Sequence, residues 1–283
     1  MSYTIEPVRT DDASIAAMAA LLRSVFPNAV HFTEDVVRWQ YRDNPDGTAV
    51  GFNAWSGTEL AAHYVTIPLV ARVNGREERG LLSLNTATHP SHQGKGLFTK
   101  LANATYEAAA KQGFGFVVGV ANANSTHGFT KKLGFQLVSP LRAMVGVGPV
   151  VNKHSGKVTY ERIWHAKAME WRVAHPLNSY SISLTTCKDL VFTERKQMGA
   201  SLLLAALDPG TAPVNMPDHT AFAPLRIWIG LDSKTNWRFR PYVNIPAWLR
   251  PSPLNLIFKD LTGQRRSLDP KTVRFQAIDF DTL

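Results

Sequence analysis

THPSHQGKGLFTKL, residues 88–101, closes a strand-like run, bends through two glycines one lysine apart, and continues directly into helix-forming sequence. Gly94 and Gly96 let the backbone approach a ligand closely, and a helix beginning near Leu97 offers unpaired N–H groups at the positive end of its dipole. Lys95 and Lys100 add positive charge. The combination predicts an anion site, phosphate first of all. The same glycines would also serve a tight strand-to-helix turn that holds nothing. A dinucleotide-binding fold is disfavoured, because antiparallel strands precede the bend and a third glycine is missing; no GxxxxGK[ST] occurs either.

Working outward, residues 12–26 place Ile15, Met18, Leu21, Leu22 and Phe26 at helical spacing after an acidic start. Residues 31–42 predict a second helix with Thr33 as N-cap, stopped by the turn sequence NPDG at 44–47. Strands are expected over 48–55, 59–73 and 79–89, the last two joined through Asn74-Gly75, a strong hairpin signal. Beyond the bend, Leu97, Phe98, Leu101, Thr105 and Ala108 line one face of a helix that should end at Gly113. The apolar run FGFVVGV (114–120) reads as a strand buried on both faces, and HGFTKKLGF starts another helix.

With 283 residues, 45% of them hydrophobic, and a net charge of +9, the chain can bury the core of one large or two small domains. Its positive charge is spread without a Lys/Arg block, which argues against nucleic acid and suits a polyanionic small molecule. MSYTIEPVRTDD has no apolar signal region and no run of about 18 apolar residues occurs, so neither secretion nor membrane spanning is signalled. Cys187 is the only cysteine, which excludes internal disulfides and Cys-rich metal sites and fits a reducing compartment. The expectation is a cytoplasmic protein without a metal.

In the second half, WRVAHPLNS (171–179) faintly echoes WQYRDNPDG (39–47), and each precedes an alternating strand candidate, here 180–186. Residues from about 150 onward thus read either as a degenerate repeat of the first half, without a second glycine bend and so without a second phosphate site, or as a chance likeness of two Trp-to-Pro stretches. Closing strands are expected over 253–261 and 273–283. Trp228, Trp237, Phe239, Tyr242 and Trp248 lie among Arg238, Arg240 and Arg250. They suit core or interface packing first and stacking on a nucleotide base second. Such Trp-rich stretches are compatible with a homodimer.

The run Gln93-Gly94-Lys95-Gly96, followed by a helix, an apolar strand, the turn ANANS (121–125) and a KKLGF ending, resembles the acyl-CoA motif Q/R-x-x-G-x-G/A of the GNAT superfamily of N-acetyltransferases. Phe98 stands where that pattern has a small final residue. The resemblance spans roughly residues 3–145. It implies a GNAT-like α/β (α+β) fold, with a mixed, mostly antiparallel central sheet flanked by helices. Domains are expected over 1–147, binding acyl-CoA, and 148–283, a smaller degenerate GNAT-like unit contributing to the acceptor site. It further implies acetyl-CoA or another acyl-CoA as co-substrate, with the pyrophosphate held by N–H groups from Gly94 to Phe98. Ala87, Thr88, Gln93, Gly94, Lys95, Gly96, Leu97, Phe98, Asn122 and Asn124 become the candidate CoA-binding residues. Asn122 and Asn124 would pair the pantetheine amides, unless they are ordinary turn residues. More narrowly, QGKGLFTKL with NxNSxxGFxKKLGF is similar to nucleotide-sugar N-acyltransferases and polysaccharide-cluster members.

Acyl transfer from a thioester to an amine needs a neutral amine, donors for the oxyanion and a proton for the departing thiolate. The strand LLSLNTATH (81–89) lacks the carboxylate often used as base. His63 and Glu34 are therefore the candidate bases, with His31 and His89 behind them. A sugar amine of pKa roughly 8 would need little help. Phe129 replaces the tyrosine that often supplies the proton, leaving Thr130, with Ser125 and His127 as neighbours, near the sulfur. Cys187 has no adjacent His and reads as a small buried hydrophobe. The expected function is N-acylation of a nucleotide-linked amino sugar by direct attack. The alternatives are transfer to another amine (peptide, polyamine, antibiotic) and a non-catalytic acyl-CoA-binding module.

Overall fold

A computed structural model describes residues 2–148, 150, 156–186, 188–197, 200–213, 215–219, 224–235, 237 and 241–280. Cys187, Arg238, Phe239 and Arg240 lie outside the described residues. In the first half the order is β1 (Thr4–Pro7), α1 (Asp12–Val25), α2 (Glu34–Tyr41), β2 (Val50–Ser56), β3 (Glu59–Val73), β4 (Arg76–Thr88), α3 (Leu97–Lys111), β5 (Phe116–Ala121), α4 (Ala123–His127), β6 (Gln136–Pro140) and β7 (Arg142–Val147). The second half contributes β8 (Tyr160–Arg162), α5 (Ala166–Val173), β9 (Tyr180–Leu184), β10 (Asp189–Gln197), β11 (Ala200–Leu207), β12 (Leu225–Asp232), β13 (Tyr242–Asn244), β14 (Asn255–Asp260) and β15 (Val273–Gln276).

Local chemistry sets the boundaries. Asp11 caps α1 by accepting from the Ser14 N–H, and Thr33 caps α2 by accepting from the Val36 N–H. Ile15, Met18 and Leu22 of α1 are fully buried on its inner face. Asn74 and Gly75 both have positive φ, as a two-residue turn between β3 and β4 requires. Gly113, also at positive φ, ends α3.

The strands form one mixed sheet, in which β4·β5, β11·β12 and β8·β15 are the parallel pairs among the described strands. The first half runs β2-β3-β4-β5-β14-β6 and the second β9-β10-β11-β12-β7-β13, with a parallel pair at the same place in each. Each half therefore receives one strand from the other. β14 enters between β5 and β6, antiparallel to both, and β7 enters between β12 and β13. The expected boundary at 147/148 is thus crossed by strands in both directions. β8 and β15 bridge the far ends of β3 and β12.

The cores follow this exchange. Ile257 of β14 is buried beneath α3 with Leu97, Leu101, Tyr106 and Phe129. Met144 of β7 is buried in the second half with Phe192, Trp228 and Trp237. Where the halves meet, Trp39 and Trp171 stack with ring centroids 4.5 Å apart and 16° between planes. Each indole N–H donates to the backbone carbonyl of the other tryptophan, both at 2.9 Å. The two Trp-to-Pro stretches thus meet in space through a reciprocal contact. Residues 208–224, between the parallel strands β11 and β12, hold no helix among the described residues, unlike the glycine bend and α3 between β4 and β5. No helix of the described residues is long and apolar enough to cross a membrane.

Candidate active site

The parallel ladder of β4 and β5 stops at Ser83 opposite Gly119, so beyond it the strand ends diverge and leave a gap. A bulge in β4 opens the gap further: Leu84 pairs with Val65 and Ala87 with His63, and Asn85 takes φ 48° between them. Two adjoining cavities occupy this place. One, of about 640 Å³, is lined by Thr86, Thr88, His92, Gln93 to Thr99, Asn122, Asn124, Ser125, His127 and Lys132, with Phe26 and Phe129. The other, of about 300 Å³, lies over Ser83 to Thr86 and Gly119–Val120, and is walled by Phe26, Ala29, His31, Phe32 and Ile257. Phe26, Thr86, Asn122, Ser125 and Phe129 face both.

The larger cavity has the electrostatics of an anion site. Gly94 and Gly96 sit at φ 74° and 72°, and a Cβ at either would meet no atom within 4 Å, so the space beside the bend is open. Gly96 is the N-cap of α3 and supplies no side-chain acceptor to its first turn. The N–H groups of Leu97, Phe98 and Thr99 therefore stand at the positive helix end beside the cavity. Phe98 fits because residue 128 is glycine: a Cβ there would come within 3.0 Å of the Phe98 ring. Phe98 also packs edge-on against Phe129, with centroids 5.3 Å apart.

Of the residues expected from sequence at the CoA site, Thr88, Gln93, Gly94, Lys95, Gly96, Leu97, Phe98, Asn122 and Asn124 share this cavity. Ala87 does not. Strand alternation turns Thr86 and Thr88 to the cavity and buries Ala87, 2% exposed, in the core behind. Asn122 spends its side-chain oxygen on capping α4, accepting from the N–H groups of Asn124 and Ser125 and from the Ser125 hydroxyl.

The three catalytic candidates need correction, since none lines either cavity. Glu34 is exposed at the start of α2. The Thr130 hydroxyl donates back to the Thr126 carbonyl at 2.9 Å, as threonines in helical turns do. His63 is 1% exposed and bonded at both nitrogens, Nδ1 to Asn53 Oδ1 at 2.6 Å and Nε2 to the Tyr41 hydroxyl at 3.1 Å. The Asn53 oxygen can only accept, so Nδ1 carries the proton and Nε2 accepts from Tyr41. Asn85 in turn donates to the Tyr41 oxygen at 3.1 Å and to Gln40 Oε1 at 2.6 Å. The network holds the β4 bulge in place from behind.

Burial lowers the pKa of His63 to about 3. Between about pH 3 and the ordinary histidine value of roughly 6.5, the unfolded chain therefore binds a proton that the folded chain refuses. His63 thus costs stability as pH falls through that window, by up to about 1.4 kcal/mol per pH unit. In His63→Gln, denaturant titrations at several pH values should show a flatter loss of stability below pH ~6.5; an unchanged slope would mean that His63 is protonated in the fold.

His31 and Ser125 gain weight from their positions. His31 is the titratable side chain on the wall of the smaller cavity, among lining residues that include no carboxylate, lysine or arginine. Ser125 stands where the cavities meet. The Ser83 hydroxyl, on the same wall, bonds Tyr64 at 2.9 Å, and burial pushes that phenol up to about 12, so Tyr64 stays protonated. Ile257 carried no sequence signal for this site: it arrives on the exchanged strand β14.

Among family models, residues 6–138 match the acetyltransferase (GNAT) domain. No curated protein matches by sequence. Solved structures with the same fold include a probable N-acyltransferase from Enterococcus faecalis V583, with TM-score 0.64, 9% identity and coverage of 92% of this chain and 73% of the other. A GCN5-related N-acetyltransferase from Anabaena variabilis ATCC 29413 has TM-score 0.61 at 10% identity over 92% and 73% of the two chains. Eis1 from Mycobacterium abscessus has TM-score 0.60 at 9% identity over 92% and 74%. The match over residues 6–138, just under half of the chain, and the fold shared over 92% of it support an N-acyltransferase.

Proposed function

We propose that the chain transfers an acetyl or other short acyl group from CoA to a small primary amine, by direct attack with both substrates bound. The observation that carries this reading is the meeting of two cavities at the gap between β4 and β5, one beside the Gly94–Gly96 bend and one over the divergent strand ends. CoA would lay its pyrophosphate on the first turn of α3 and its pantetheine arm along Thr86 and Thr88, whose backbone has no partner on β5 there. The thioester would then lie beside Ser125 and Phe129, facing the smaller cavity. His31 would take the ammonium proton, and the Ser125 hydroxyl would meet the departing thiolate. A thiol of pKa roughly 8.5 leaves without strong acid help.

The acceptor reading follows from the wall of the smaller cavity. Three phenylalanines, Phe26, Phe32 and Phe129, and the absence of lysine or arginine among its lining residues favour a compact amine with an apolar body. A nucleotide-linked amino sugar is the competing acceptor class; its diphosphate would want cations that this wall does not offer. A thermal-shift comparison of CoA, acetyl-CoA, dTDP, UDP and GDP separates the two, since a ligand at a hundredfold excess over its dissociation constant adds about 2.7 kcal/mol. Stabilisation by CoA but by no nucleoside diphosphate is the expected result, and a shift with one of the diphosphates would restore the nucleotide-sugar acceptor. No shift with CoA would remove the acyl-CoA reading altogether. His31→Ala should lower kcat about a hundredfold, within the usual range for a lost general base, while leaving CoA affinity unchanged. Unaltered turnover would sink the assignment of His31.

A further inference from the structure

At the outer edge of the larger cavity, Glu59 at the start of β3, His89 just after β4 and His92 in the short helical turn 90–92 bring one carboxylate and two imidazoles together. One donor atom from each lies within 4.8 Å of the others. The carboxylate spans the two imidazoles with one oxygen toward each. Glu59 Oε2 is 3.3 Å from His92 Nε2, and Glu59 Oε1 is 3.7 Å from His89 Nδ1. The Glu59–His92 contact is a hydrogen bond, longer than the ~2.7–2.9 Å of a charge-assisted one. Two ligands bound at about 2.0–2.1 Å on a tetrahedral ion stand about 3.3–3.4 Å apart, so an ion would draw the three donor atoms, now within 4.8 Å of one another, somewhat closer.

The surroundings of His92 have the same character. It is 5% exposed, and its Nδ1 lies 2.9 Å from the Tyr3 hydroxyl, which fixes the ring with Nε2 toward Glu59. A metal-bound imidazole donates its other N–H to such an oxygen. His89 has its Nδ1 2.7 Å from the Ser91 hydroxyl and accepts from the Ser91 N–H at 3.4 Å, so binding requires that Nδ1 leave both contacts on this exposed turn.

We propose that Glu59, His89 and His92 form a divalent transition-metal site, with Zn²⁺ the ion of choice for two imidazoles and a carboxylate. It lies outside the acyl-transfer chemistry and does not depend on it. Its place in the chain gives it a role: His92 directly precedes Gln93 and the glycine bend, while Glu59 is the first residue of β3, paired with Ser56 of β2. An ion here fastens the entry of the anion-binding bend to the sheet edge.

The test is calorimetric titration of the full chain, stripped with chelator, with ZnCl₂ alone, followed by CoA with and without the metal. One equivalent of Zn²⁺ should bind, Glu59→Gln and His89→Gln should each abolish binding, and Tyr3→Phe should weaken it about tenfold. Glu59 is exposed and His89 half-buried, so both variants should keep the wild-type thermal midpoint without metal. Wild-type CoA affinity should rise with Zn²⁺, and that rise should vanish in Glu59→Gln. Stoichiometry other than one, or binding that survives both ligand substitutions, would overturn the site. Binding of one equivalent without any effect on CoA would overturn its role at the bend.

Discussion

Gly96→Val should eliminate measurable CoA binding and lower stability only modestly. At φ 72° a β-branched residue is strained, at a cost of order 1–3 kcal/mol. Its side chain would project into the open space beside the first turn of α3, where no protein atom lies within 4 Å. A pyrophosphate displaced from two charge-assisted N–H bonds loses about 3–6 kcal/mol, which is more than a hundredfold in affinity. Gly113→Val is the matched control. Gly113 lies at the opposite end of α3 with φ 80° and equally open surroundings, so it carries the same backbone strain away from the cavity. Calorimetry with CoA should therefore separate two variants that melt at similar temperatures. Equal CoA affinity in both would mean that the bend is a turn and nothing more.

What the sequence could disclose depended on how local the physics was. The bend, the Thr33 cap and the Asn74-Gly75 hairpin are decided by neighbours within a few residues, and the structure has each of them where the sequence puts it. The side on which a residue faces was legible only with the pleat in hand. Ala87 and Thr86 differ by one position, and the bulge at Asn85 sets which of them meets the cavity. Burial of His63 was beyond reach for a different reason: its partners Asn53 and Tyr41 come from another strand and a helix, and they convert a candidate base into a neutral structural group. The aromatics of the second half divide similarly, with Trp228 and Trp237 buried and Trp248 80% exposed. Least legible was the traffic between halves. PLNLIFKDL (253–261) shows a strand, but nothing in its composition says that it belongs between β5 and β6, some 130 residues earlier in the chain.

That exchange carries the second large prediction: residues 1–147 expressed alone should neither fold stably nor bind CoA. Without β14, the fragment loses Leu256, Ile257 and Phe258, each at most 1% exposed: Ile257 from the core beneath α3, and Leu256 and Phe258 from the core on the other face of the sheet. At about 1.5–3 kcal/mol for each such side chain, the loss is roughly 5–9 kcal/mol, comparable to the whole stability of an ordinary domain. It also bares the hydrogen-bonding edge of β5, whose Phe116, Val117 and Val118 are fully buried in the intact chain, and an apolar edge of that kind pairs with other chains. Fragment 148–283 should fail in the same way, because β7 leaves with Met144 from the core around Trp228. Co-expressed, each fragment supplies the strand the other lacks, and the two should purify as a soluble one-to-one complex that binds CoA. The reciprocal Trp39–Trp171 bonds would clasp the halves in that complex. A monomeric 1–147 with wild-type CoA affinity would show that β14 is dispensable. Failure of the co-expressed pair to assemble, with the intact chain soluble, would show that the exchange needs a continuous backbone to form. Recovery of CoA binding only in the pair would establish that the second half maintains the phosphate bend of the first by lending it a strand.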